Sequence, residues 1–356
     1  MFILDAHQDI AYNTLCYQRD YRVSALKKRQ HEQGTAVPQA NGLAMLGLPE
    51  ALAGRVALIF ATIFVAPKGE EDGLWDRVSY KTPRQAYEMG MTQLDVYRRL
   101  TDMDDRLMLV TTQADLDAVL ATWTPDKDIK SRKQGLVLLM ENADPILEPR
   151  QFEEWYEQGV RLVGPAWQAT RYSAGTGAPG GLTALGRELL EVMQSFNAIL
   201  DLSHMAEAAY LEALERYEGI VIASHSNPRR FCDRDRHLND EMIRLLAERD
   251  GVIGTVLPNY FLDGTWQRRD GKRAVTLQRV VEIIDYICQL TGSAAHVGIG
   301  SDFDGGFGAE SVPQEFDTVA DLWQIKQALA DRGFGADDVK AILHGNMLRK
   351  LREGLA

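Results

Sequence analysis

Ile199-Leu-Asp-Leu-Ser-His204 and Ile220-Val-Ile-Ala-Ser-His225 are short apolar runs that each close on a histidine. Apolar runs of this length between helical patterns read as buried parallel strands. Working outward, the same signal recurs along the chain: Phe2 to His7, Val56 to Phe64, Leu136 to Glu141, Leu162 to Trp167, Ala198 to His204, Ile220 to His225, Val252 to Leu257 and Val297 to Asp302. Between them, Leu182 to Phe196, Asp240 to Arg249 and Leu277 to Leu290 carry apolar residues three and four apart, with charges on the other face. Thr276 is the expected N-cap of the last of these helices and Gly292 its stop. Eight strands alternating with helices predict an α/β chain folded as a (β/α)8, or TIM, barrel. The less regular stretches Tyr12 to Pro49 and Ala66 to Pro125, the latter with a β-like Arg106 to Thr111, are expected as elaborated βα connections. No linker separates a second domain, so residues 1–356 are expected to form a single barrel domain.

The composition excludes several functions. At 45 % hydrophobic residues and a net charge of -12, the chain can bury a large core but offers no basic stripe for phosphates, so nucleic acid is not an expected partner. Cys16, Cys232 and Cys288 are far apart and odd in number, which suits a reduced compartment better than a disulfide framework. The first strand begins within a few residues of Met1, leaving no room for a signal sequence, and no apolar run approaches membrane-spanning length. These features predict a cytoplasmic protein with no membrane partner.

The candidate chemistry begins at Leu4-Asp-Ala-His7-Gln-Asp9, where residues two apart on a strand share a face, so that His7 and Asp9 can grip one cation. Because the C-terminal ends of barrel strands converge on one mouth, His7, Asp9, Glu141, His204, His225 and Asp302 are expected to meet there. Three imidazoles with several carboxylates suit Zn2+ or a similar divalent ion, and this many ligands can hold two ions bridged by a carboxylate and a water.

Asp5-Ala-His7-Gln-Asp9, Leu200-Asp-Leu-Ser-His204, Ala223-Ser-His225-Ser and Gly298-Ile-Gly-Ser-Asp302-Phe-Asp-Gly305, supported by Gly181-Leu-Thr-Ala-Leu-Gly186 and Gly345-Asn-Met-Leu-Arg349, resemble the renal, or membrane, dipeptidase family of the amidohydrolase superfamily over almost the whole chain. The resemblance implies that His7 and Asp9 bind one zinc and His204 and His225 a second, with Glu141 and a water or hydroxide bridging the two. It further implies that Asp302 exchanges protons with the bridging water and then the leaving amine. Arg236 would hold the substrate's C-terminal carboxylate, a task suited to a bidentate guanidinium. The expected activity is zinc-dependent hydrolysis of a small dipeptide, with a D-residue accepted at its C-terminal position, or of an N-acyl amino acid. A homodimer is consistent with the same resemblance.

The chain also departs from the family pattern. At the end of the fourth strand, where the family carries a histidine that assists the carbonyl oxygen, this sequence has Trp167, an indole that can donate one hydrogen bond and cannot become cationic. Where the bridging glutamate is commonly followed by two glycines, this chain has Asn142-Ala143. Trp167 therefore supports a second reading, hydrolysis of a non-peptide amide, lactone or ester. A third is a non-catalytic metal-containing binding protein, against which the intact Asp302 argues. Asp304 competes with Asp302 for the proton-carrying role, and Asp302 is preferred because it ends the apolar run. Gly175-Thr-Gly-Ala-Pro-Gly180 satisfies a dinucleotide fingerprint, but its proline and glycines predict a flexible rim loop rather than a helix start. His296 is expected on the opposite barrel face, and His31, His237 and His344 receive no metal role, although His237 could line the mouth. Trp75, Tyr80, Tyr172, Tyr260 and Trp266 are rim candidates without an assigned role.

Overall fold

The computed structural model describes residues 1–68 and 77–356. Eight parallel strands, β1 (Ile3–Gln8), β2 (Val56–Phe64), β3 (Gln134–Glu141), β4 (Val160–Gly164), β5 (Ile199–Asp201), β6 (Val221–Ala223), β7 (Val252–Thr255) and β8 (Val297–Ile299), pair in sequence order, and β1 closes on β8 through Asp5 and Ile299. The longest ladder joins β2 to β3, from Leu58 opposite Gly135 to Phe64 opposite Glu141. Every residue of β2 and β3 is buried, as expected where a parallel sheet is covered on both faces. The closed (β/α)8 barrel expected from the sequence is therefore the observed fold.

The helices follow the apolar spacing closely. Leu182 to Phe196 becomes helix Ala184–Ser195, with Thr183 accepting the Gly186 N–H, and Asp240 to Arg249 becomes Asp240–Glu248, with Asn239 accepting the Met242 N–H. The third helix runs Leu277–Thr291 and ends at Gly292, whose φ of 72° is the left-handed cap that favours glycine. Thr276 stands at its N-cap position but its side chain makes no capping bond; the Leu277 N–H is taken instead by the Glu315 carboxylate. The region 12–49 is more regular than its polar sequence suggests, because four helices occupy or enter it, Ile10–Tyr17, Ala25–His31, Val37–Asn41 and Leu48–Ala53. In the second elaborated connection, helix Pro83–Met103 starts at a Thr82/Gln85 capping box, and a short strand Leu107–Leu109 pairs with the N-terminal half of β3.

Two glycines bring the mouth together. A side-chain carbon at Gly254 or Gly300 would lie 1.8 or 1.9 Å from the Ser224 carbonyl oxygen, so only glycine lets the loop after β6 descend between β7 and β8. Among the described residues, no helix is long and apolar enough to cross a membrane.

Candidate metal centre at the barrel mouth

Strands β4 to β8 stop short of the residues expected to end them. β5 ends at Asp201, β6 at Ala223 and β8 at Ile299, so His204, His225 and Asp302 stand on the first turns of the following loops, and Trp167 lies beyond Gly164 at the end of β4. His204, Asp302 and Asn142 have positive φ values of 65°, 59° and 76°. Such left-handed residues cluster at sites where geometry outweighs backbone preference. Asn142 adopts the conformation that a glycine takes readily, and its amide additionally donates to the Val65 carbonyl at 2.9 Å and the Tyr80 hydroxyl at 3.2 Å. Departure from the family's glycine is thus accommodated immediately after Glu141.

The barrel brings His7, Asp9, Glu141, His204, His225 and Asp302 into one cluster. Glu141 divides its oxygens: Oε2 lies 3.3 Å from His7 Nε2, whereas Oε1 lies 3.2 Å from His204 Nε2 and 3.4 Å from His225 Nε2. His7 Nε2 also lies 3.7 Å from Asp9 and 3.8 Å from Asp302. Three sets can hold a metal ion, His7 with Asp9 and Glu141, Glu141 with His204 and His225, and His7 with His225 and Asp302, the ligand atoms of each set lying within 4.8 Å of one another. The third set is absent from the sequence reading, which gave Asp302 a proton-transfer role alone. His7 Nε2 is fully buried without a hydrogen-bond partner among the described residues while carboxylates surround it. Such an orphaned acceptor among anions fits a divalent cation, and imidazole with carboxylate is a zinc-type donor set.

At His204 and His225 the electrostatics agree with that fit, and at His7 they mark a ring set among anions. Burial, reinforced by His7 and Arg236, holds His225 well below the usual histidine range, and burial with Arg236 lowers His204 to about 4, so both rings are neutral and able to ligate. Burial opposes protonation of His7, but the Glu141 and Asp9 carboxylates outweigh it and hold this ring well above the usual range. For Asp302, burial and the nearby Asp9 and Glu141 carboxylates outweigh attraction to His7 and Arg236, raising it well above the usual carboxylate range.

Asp304 does not compete for the same position. Its carboxylate accepts the backbone N–H groups of Met45 and Leu46 at 2.8 and 3.1 Å, and it faces Arg19, which pairs with Glu32. It anchors the loop after β8 to the region 42–46 while Asp302 faces the cluster.

Residues that the sequence did not single out orient the ligands. Ser224 Oγ lies 2.8 Å from His225 Nδ1 and donates to Asp201 at 2.5 Å, while Asp201 also accepts the Ser203 and Ser224 N–H groups. This arrangement leaves His225 Nε2 directed at the cluster. Thr62 donates to Asp9 at 2.5 Å, and Thr176 Oγ lies 3.1 Å from His204 Nδ1. The repeated Ser-His pair at 203–204 and 224–225 is the one signal that could have revealed the serines. Thr176 belongs to the glycine-rich stretch, which is an antiparallel hairpin, Ser173–Gly175 with Ala178–Leu182, rather than a flexible loop. Its turn supplies pattern-independent structure at the rim, with Gly177 at a φ of 73° and bonded to Asp235 at 2.7 Å.

A cavity of about 470 Å³ opens above the cluster. Arg236 lines it at 3 % exposure, donates to the His225 carbonyl at 2.6 Å and Ser226 Oγ at 3.2 Å, leaves Nε without a partner, and makes no ion pair among the described residues. Trp167 also lines it, its ring 5.2 Å from Phe64 and 6.2 Å from His204. Of the rim aromatics, Tyr260 reaches the cavity; Trp266 lines a smaller adjoining pocket, Tyr80 bonds Asp144, and the Tyr172 hydroxyl bonds the Ile146 carbonyl. Trp75 lies outside the described residues. His237 sits behind Phe261 rather than on the cavity surface, and His296 bonds Gly251 just before β8, away from the mouth.

A parallel barrel with candidate metal-ligand sets at its C-terminal mouth is an architecture suited to metal-assisted hydrolysis. The model of the membrane dipeptidase family, peptidase family M19, matches residues 1–354, and the chain belongs to this family. Among its relatives, an uncharacterized protein in the pqqA 5' region of Klebsiella pneumoniae is 33 % identical over 58 % of this chain and 76 % of its own length. Dipeptidase tcpJ of Claviceps purpurea is 27 % identical over 84 % of this chain and 67 % of its own. A Rhodobacter sphaeroides metallo peptidase, solved with a phosphinate mimic of the dipeptide L-Ala-D-Ala, superposes with a TM-score of 0.79 over 99 % of both chains at 21 % identity, a likeness of fold. The chain is thus a metallo-hydrolase of the dipeptidase family.

Proposed function

We propose that this chain is a binuclear zinc dipeptidase that cleaves small dipeptides, including those with a C-terminal D-residue, and that N-acyl amino acids are related substrates. The observation that carries the reading is the division of Glu141, one oxygen toward His7 and the other toward His204 and His225. His7 and Asp9 would hold one ion and His204 and His225 the other, with Glu141 between them. Bound there, the ions would polarise the scissile carbonyl and lower the pKa of a water toward neutrality. Asp302, buried beside His7, would as the carboxylate take the water's proton and then, as the acid, pass it to the departing amine. Arg236 receives the substrate carboxylate, because it is a buried guanidinium that lines the cavity and makes no ion pair among the described residues. Residues 1–356 are read as one domain, and the three free cysteines support a reducing, cytoplasmic setting.

Trp167 favours a second reading in which the same centre hydrolyses a non-peptide amide, lactone or ester. Elemental analysis of the purified protein, with hydrolysis of L,L, L,D and D,D dipeptides before and after chelation, separates the two. Close to two zinc ions per chain with chelator-sensitive cleavage is the expected result. Two ions without dipeptide cleavage, accompanied by lactone turnover, would replace the first reading with the second, and absence of bound metal would refute both.

A further inference from the structure

The cavity has two unlike walls, and the barrel sets them across from each other. In an eight-membered ring, β2 is diametrically opposite β6. Arg236 follows β6, whereas Phe64 ends β2, and Trp167, on the loop a quarter turn round after β4, packs its ring against Phe64. A substrate with its carboxylate at Arg236 and its scissile bond over the cluster therefore extends its other end toward Phe64 and Trp167.

That far wall is aromatic and backed by its own packing. Tyr12 and Phe64 meet edge to face at 5.9 Å, and Phe64 meets Trp167 in the same way at 5.2 Å. Tyr12 and Phe64 belong to a small apolar cluster separate from the barrel core, with Tyr17, Ala66 and Val78, against which Trp167 packs. The Tyr12 hydroxyl is engaged by Tyr17 at 2.7 Å and Asn41 at 3.1 Å. These contacts hold the rings in place before a ligand arrives, which lowers the ordering cost of using them for recognition. The volume of about 470 Å³ also exceeds what the smallest dipeptide requires and lies within the range of small-molecule sites.

We infer that Trp167 and Phe64 form a specificity wall selecting substrates with a large apolar or aromatic group on the acyl side of the scissile bond. This rests on the dipeptidase reading. The wall recognises the group by burying its apolar surface against fixed ring faces, an interaction that glycine or alanine in the same position provides only in part.

The test is kcat/KM for dipeptides with a constant C-terminal residue and Gly, Ala, Leu or Phe at the N-terminal position. Wild-type protein is expected to favour Phe or Leu over Gly by at least about tenfold, the scale at which hydrophobic pockets discriminate side-chain size. Trp167→Ala should reduce that ratio to below about threefold, while Trp167→Phe should retain most of it, with metal content and circular dichroism confirming the fold of each variant. Phe64→Leu provides a second perturbation of the same wall should Trp167→Ala fail to fold, and should likewise lower the Phe/Gly ratio. Equal wild-type turnover of Gly and Phe dipeptides would overturn the wall while leaving the dipeptidase reading intact. A preference unchanged in well-folded Trp167→Ala would also overturn it, and no turnover of any dipeptide would overturn both.

Discussion

Replacing Ser224 by alanine removes one oxygen that touches no proposed substrate and is expected to loosen one metal site selectively. Ser224 Oγ lies 2.8 Å from His225 Nδ1 and 2.5 Å from Asp201, but 3.5 Å from His7 Nδ1, at the edge of hydrogen-bond range. The substitution leaves the buried Nδ1 of His225 without its partner and releases the ring orientation, whereas Asp201 keeps the Ser203 and Ser224 N–H groups at 3.0 and 2.8 Å. The loop should therefore survive while the ligand loses its support. Removing such a partner typically costs ~10–100-fold in metal affinity, equivalent to about 1.4–2.7 kcal/mol, and an unsatisfied buried donor costs a similar ~1–3 kcal/mol. Zinc titration of metal-free protein against a chromophoric chelator, with thermal melting as a fold control, should show the His204/His225 site weakened by that amount and the His7/Asp9 site changed by less than about threefold. Unchanged affinity at both sites would refute the orienting role of Ser224. Equal weakening of both would refute the division of ligands between two ions.

Asp302→Asn should lower kcat by ~10²–10⁴-fold while leaving metal content nearly unchanged, because it removes the proton carrier without removing the Glu141 bridge; retention of more than a tenth of wild-type turnover would count against that role. His344, 5 % exposed, stacks on Phe2 at 4.0 Å and has neither ring nitrogen hydrogen-bonded. Burial lowers its pKa from 6.5 to about 4, so the unfolded chain binds this proton first as pH falls. The associated stability is fully present above pH 6.5 and is lost toward pH 4, by up to ~3 kcal/mol. Urea unfolding of His344→Phe should accordingly fall less steeply between pH 7.5 and 4.5 than wild type, and parallel curves would exclude His344 as a source of acid sensitivity.

Much of the centre was legible because its signals are local. An apolar run that ends in a ligating residue is written in six or seven consecutive positions, and closure of a parallel barrel then brings such ends to one mouth. His7, Glu141, His204, His225 and Asp302 were accessible to that reasoning, although the loops place the last three beyond the strands in conformations that periodicity does not encode. The helix starts were less legible. Thr276 has the right residue type and position, yet Glu315, distant in sequence, takes the bond.

By itself, the sequence determined the alternation of strands and helices, the chemical types of the ligands and the ring order in which they meet, since these follow from side-chain period and chain connectivity. Tertiary structure alone decided which oxygen of Glu141 faces which histidines, that Asp304 anchors a loop while Asp302 faces the cluster, that Ser224 orients His225, and that an aromatic wall stands across from Arg236. The physical reason is distance: a hydrogen bond or a metal-ligand contact depends on a few tenths of an ångström between residues far apart in the chain, and only the closed barrel sets that separation.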